Sequence, residues 1–126
     1  MELIRTILLK VEADPDLVGE FKRVGADTLG IADHTAVKVT YHLVMLIDEA
    51  RFLVGNTKMA KVGVVLVSKL TWEGHEFLES IRNPDTWRKT KEGALKIGSW
   101  SVILLSDMAK AYAKNLAKEK LGLDLS

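Results

Sequence analysis

Lys38, Tyr41 and His42 fall close together in the sequence, and Lys58 and Lys61 follow a short distance on. These side-chain types contact DNA: ammonium groups pair with phosphates, while a phenol or an imidazole can bond a phosphate or a base edge. Affinity of this kind grows with the number of phosphates neutralised, and strong sites neutralise about 6–10 of them. Lys38, Lys58 and Lys61 supply few cations, and Asp33, Asp48 and Glu49 lie nearby in the chain to repel phosphate. A second reading stands beside the first. In it Lys38 is solvated, Tyr41 and His42 are partly buried spacers, and the two loop lysines guard an edge strand.

Catalytic and metal chemistry has little to draw on. The chain has no cysteine, which removes thiolate zinc sites, cysteine nucleophiles and disulfides. His34, His42 and His75 lie in separate segments and form no H-E-x-x-H pair. Glu73, Glu76 and Glu79 fall at i, i+3 and i+6, with Lys69 and Arg82 as neighbours, the pattern of a solvated, partly paired helix face. Ser99 and Ser101 have no base near them in sequence and no G-x-S-x-G elbow. Gly25, Gly30, Gly55 and Gly63 spell no phosphate-binding loop. Trp72 and Trp87 offer faces on which nucleobases stack, but tryptophans beside a ribbon read first as core anchors. The expectation is a protein that is not an enzyme, with no catalytic residue, no metal and no cofactor.

Composition narrows the classes further. The 126 residues are 48% apolar and 28% charged, the balance of a globular domain. Eighteen Lys and Arg oppose seventeen Asp and Glu, which excludes both a globally basic DNA wrapper and an acidic DNA mimic. The excess is local: residues 86–120 hold eight cations against three acids, whereas residues 1–60 hold seven against nine. The longest apolar runs, Val102-Ile103-Leu104-Leu105 and Leu43-Val44-Met45-Leu46-Ile47, fall far short of the roughly 20 residues that span a bilayer. The opening Met1-Glu2-Leu3-Ile4-Arg5 does not have the form of a secretory signal. No membrane partner and a cytoplasmic location are expected.

The elements that must position these residues follow from periodicity. Leu3, Ile4, Ile7, Leu8 and Val11 mark one helical face, closed by Asp14-Pro15-Asp16. Residues 17–25 alternate imperfectly and predict a short strand. Residues 26–33 have room for a single turn of helix at best. Val39, Leu43, Leu46 and Ala50 make one stripe of a helix over residues 34–49, capped by Asp33 or Thr35. Val44, Met45 and Ile47 widen that stripe, so this helix is expected to be heavily buried. Residues 52–54 and 62–70 predict an antiparallel ribbon joined by the loop that carries Lys58 and Lys61. Thr71 caps a helix over residues 72–81, Asn83-Pro84-Asp85 breaks the chain, and residues 86–96 continue as a helix with Trp87 and Leu95 as its larger apolar groups. A last helix over residues 100–121 carries Val102, Leu105, Tyr112 and Leu116 on one side and Lys110, Lys114 and Lys118 on the other.

Helix, short strand, helix, two-stranded ribbon, helix is the order of a winged helix, in which the helix before the ribbon enters the major groove. The phrase Leu70-Thr71-Trp72-Glu73-Gly74-His75-Glu76-Phe77-Leu78, followed by Ile81-Arg82, Asp85, Trp87 and Lys89, closely resembles the signature of the bacterial and phage family called domain of unknown function 2513. Leu3-Ile4-Arg5, Ile7-Leu8 and Tyr41-His42-Leu43 add to the resemblance, which extends over residues 1–96. It implies a winged-helix-like domain, often phage- or prophage-encoded, with no demonstrated activity attached. The chain departs from the family pattern at Ala50-Arg51-Phe52, where the family usually has a glycine as helix C-cap.

The reading that results is an α+β, mostly helical protein. Residues 1–82 form a winged-helix-like core and residues 83–126 a C-terminal helical extension packed on it, within one domain overall. The leading function is a small regulator or accessory protein, phage- or mobile-element-related, that binds double-stranded DNA through Lys38, Tyr41, His42, Lys58 and Lys61. The competing function is a module that engages a host protein, for example a component of a defence system. A homodimer through the terminal helices is compatible with either. A continuous positive surface across Lys38, Lys58 and Lys61 favours DNA, and an exposed apolar patch favours a protein.

Overall fold

The computed structural model describes residues 2–98 and 101–122. The chain forms two compact units, Met1–His75 and Glu76–Ser126. The first contains α1 (Glu2–Ala13), β1 (Lys22–Arg23), α2 (Ala26–Leu29), α3 (Ala36–Asp48), β2 (Leu53–Asn56) and β3 (Leu66–Leu70). Helix α4 (Trp72–Ile81) begins in the first unit and ends in the second, which also holds α5 (Pro84–Ile97) and α6 (Val102–Leu121). The element order and the small antiparallel sheet are those of a winged-helix-like, mostly helical α+β protein.

In the first unit α1 buries Leu3, Ile4, Ile7, Leu8 and Val11, the face its spacing predicts. This face packs on α3, α2 and β3. Strand β3 is central in the order β1-β3-β2, with Lys22 opposite Val67 and Leu53 opposite Leu70. The first strand is shorter than residues 17–25, because Gly19, at φ 137°, takes the chain out of regular strand geometry before β1. Single hydrogen bonds, Gly19 N–H to the Ser68 carbonyl and Val24 N–H to the Val65 carbonyl, carry the edge past its ends.

Helix α2 is the single turn that residues 26–33 allow. The Gly25 N–H donates to Thr28 Oγ1 at 2.9 Å, and the Thr28 hydroxyl donates back to the Gly25 carbonyl at 3.1 Å. Gly30 closes the turn in the left-handed region. Buried Leu29 and Ile31 anchor it beside α3. Thr35, rather than Asp33, caps α3: its Oγ1 accepts the Lys38 N–H. Helix α3 buries Val39, Leu43, Leu46 and Ile47 but is not buried all round. Val44 and Met45 are half-buried, and Val37 and Tyr41 are 80% and 66% exposed. The opposite stripe, at Val37, Tyr41 and Asp48, faces solvent.

The ribbon also differs from its expected limits. Residues 62–65 are β-branched or small, yet Ala60–Val62 forms a 3₁₀ turn and Gly63 takes a left-handed φ of 81°. The Val64 N–H then donates to the Met59 carbonyl, and pairing begins only at Leu66. This ribbon, β2 and β3 with the loop between them, holds the place of the wing and is tied to α3 where the Thr57 hydroxyl reaches the Asp48 carboxylate at 3.0 Å.

The second unit pairs α5 with α6. Asn83 caps α5, its Oδ1 accepting the Asp85 and Thr86 N–H groups, with Pro84 at the first helical position. Thr86, Trp87, Thr90 and Ala94 form its buried side. Leu95, one of its larger apolar groups, falls one residue beyond Ala94 on the helix and is exposed. Ser101 Oγ caps α6 by accepting the Leu104 N–H, and Val102, Leu105, Ser106 and Ala109 are buried. Trp100, the expected first residue of this helix, and Ser99 before it lie outside the described residues.

Candidate functional site

The first turns of α3 bring Lys38, Tyr41 and His42 together. His42 Nδ1 lies 2.9 Å from the Lys38 carbonyl, so that nitrogen carries the proton and donates. The Tyr41 ring meets the His42 ring edge-on, with centroids 5.8 Å apart. Tyr41 is exposed rather than a partly buried spacer, whereas His42 is half-buried. Lys38 is exposed on the same turn.

The wing supplies the other two lysines. The Lys58 N–H donates to Asn56 Oδ1 at 2.9 Å, which turns the chain away from β2. Lys61 lies in the 3₁₀ turn and lines a groove of about 250 Å³ together with Ala36, Val37, Thr40, Ala60 and Gly63. One wall is the first turn of α3 and the other is the wing tip. Lys38, Lys58 and Lys61 enter no ion pair among the described residues. Of the neighbouring acids, Asp48 accepts the Thr57 hydroxyl and Asp33 lies 3.9 Å from His34 Nε2.

Sequence reasoning missed the apolar part of this face. Val37 is the most exposed large apolar residue of α3, and Met59 and Val62 flank the wing turn, both exposed. The signal was available for Val37, which lies two residues off the buried stripe begun by Val39 and so projects to the other side of the helix.

The remaining candidates do not converge. Among the described residues no three His, Asp or Glu side chains stand close enough to hold a metal ion. His75 lines a separate groove of about 290 Å³ with Glu12, Asp14 and Lys69. Glu79 pairs with Arg82 at 2.7 Å and Glu76 with Lys110 at 3.4 Å, so these two glutamates of α4 face outward to cations. Trp72 is 74% exposed, against its expected anchoring role, because α4 buries Gly74, Phe77, Leu78 and Ile81, a stripe two residues away. Trp87 is buried, with Lys91 Nζ 5.5 Å from its ring centroid. Among the described residues no helix is long and apolar enough to cross a membrane.

The sequence matches the family described as "Hypothetical protein (DUF2513)" over residues 1–100. It is 30% identical over 121 residues to a protein of Haemophilus influenzae (strain Rd) described as "Uncharacterized protein", an alignment covering 96% of each chain. No solved structure matches.

Proposed function

We propose that this chain, which belongs to the domain of unknown function 2513 family, is a non-enzymatic winged-helix-like module that binds double-stranded DNA through α3 and the wing. The observation that carries the reading is the shared groove. The first turn of α3 and the wing tip border one cleft, with Lys61 in its wall and Lys38 and Lys58 unpaired on the same two elements. A helix flanked by a basic wing is the geometry with which winged helices hold a major groove and the adjoining phosphates. Helix α2 is a single turn of four residues, so the first helix of a full helix-turn-helix is incomplete, which weighs for a protein-binding reading.

A second reading has its own observation. Val37, Tyr41, Met59 and Val62 are exposed apolar groups on these elements, and such groups also suit a protein partner, including a host protein engaged by a phage or mobile-element product.

Anisotropy of a labelled random duplex, titrated over a salt series, separates the two. Under the DNA reading binding weakens steeply with salt, and Lys58→Glu with Lys61→Glu reduces the log–log slope by roughly 2, one for each phosphate left without its lysine. Absence of binding at low salt overturns that reading in favour of the protein partner.

A further inference from the structure

We propose that α3 recognises the C5-methyl groups of thymine through Val37 and Tyr41, so that the module prefers A·T-containing duplex; this rests on the DNA reading above. On the first turns of α3 the Lys38 ammonium, the Tyr41 hydroxyl and His42 Nε2 are the groups that can read a base edge by hydrogen bonding. Val37 has none, Thr40 is half-buried in the wall of the groove, and His42 Nδ1 is already committed to the Lys38 carbonyl. Beside these groups the stripe offers apolar surface, with Val37 at 80% and the ring of Tyr41 at 66% exposure, one helical turn apart, while Asp48 two turns further on is engaged by the Thr57 hydroxyl. Neither exposed side chain is needed to fill the core of α3, which Val39, Leu43, Leu46 and Ile47 supply.

The major groove presents one apolar group on its base edges, the thymine methyl, and valine or an aromatic ring meets it by direct contact. An occupant anionic at its margins suits this face, because the apolar stripe is bordered by Lys38, unpaired among the described residues, and, across the groove, by Lys61. Duplex DNA joins these two requirements: phosphates at the edges and methyls in the groove floor. Covering two methyl groups is worth roughly tenfold in affinity.

The test is competition for a labelled random duplex at low salt by two unlabelled polymers, alternating poly(dA-dT) and the same polymer with uracil in place of every thymine. They differ in the methyl group alone. The expected result is that the thymine polymer competes about tenfold better. A Val37→Ser, Tyr41→Ser double variant, with an unchanged circular dichroism spectrum, then shows no preference. Equal competition by the two polymers overturns methyl recognition and leaves the DNA reading standing. A preference that survives in the double variant overturns the assignment to these two residues. Failure of the wild-type protein to bind the labelled duplex removes both readings and leaves the face to a protein partner.

Discussion

The Thr71 hydroxyl donates to the Arg51 carbonyl at 2.7 Å and accepts the Gly74 N–H at 3.0 Å. One side chain thus ties the turn that ends α3 to the first turn of α4, twenty residues on. The Thr71 N–H adds a bond to the Phe52 carbonyl at 2.9 Å, so the base of the wing is closed from both sides. Thr71→Val should remove both hydroxyl bonds and cost about 1–2 kcal/mol in urea denaturation, whereas Thr71→Ser should recover most of it.

Arg51 holds the left-handed conformation, φ 57°, that glycine adopts without steric cost. The α3 terminus explains why. The Phe52 N–H returns to the Leu46 carbonyl and the Ala50 N–H to the Met45 carbonyl, a closure that requires a left-handed residue between them. Arg51→Gly should therefore raise stability by about 1 kcal/mol, and Arg51→Val should lower it by at least as much, both read from thermal unfolding.

Gly74 and Gly93 are both helical glycines and should answer alanine in opposite ways. A Cβ on Gly74 would meet the backbone carbonyl of Phe52, which is held by the Thr71 N–H and cannot yield. A Cβ on Gly93 would meet the end of the Met108 side chain, which can swing aside, and next the Tyr112 hydroxyl at 2.9 Å. Gly74→Ala should cost about 1–3 kcal/mol in urea denaturation. Gly93→Ala should stay within about 1 kcal/mol of wild type in the same measurement, since the gain in helix propensity offsets the adjustment.

The α2 turn carries a pH dependence. The Arg23 guanidinium, bonded to the Asp27 carboxylate at 2.6 Å, holds that carboxyl below its ordinary 3.8, with a backbone hydrogen bond at Thr28 adding to the effect. A carboxyl lowered on folding stabilises the protein above its unfolded pKa and loses that contribution as pH falls through the folded value. Asp27→Asn should be less stable than wild type at neutral pH, and the gap should close below about pH 4, where the unfolded carboxyl protonates. Urea midpoints of both proteins across that range check it. The exposure of the pair keeps the effect small.

Much of this architecture is legible in the sequence because apolar spacing and capping residues are local signals. The stripes of α1 and α3, the Thr71 cap and the single turn of α2 all follow from residues within a few positions of one another. The remainder depends on partners far along the chain or on backbone conformation. Val62 and its neighbours have strand propensity, but Gly63 turns the chain before pairing can start. Size alone argues for burying Trp72 and Leu95, whereas their helical phase puts them outside. Of the candidate site residues, Lys38, Tyr41 and His42 are legible as a group, while the groove that sets Val37 beside Lys61 needs the wing folded against α3.

Duplex DNA lying across the first turn of α3 and the wing tip is tested most directly by titrating isotope-labelled protein with a random duplex and following backbone amide shifts residue by residue. Shifts should concentrate at residues 36–42 and 57–63 and reverse on addition of salt. No shifts at low salt, or shifts confined to α5 and α6, would contradict DNA binding at this face.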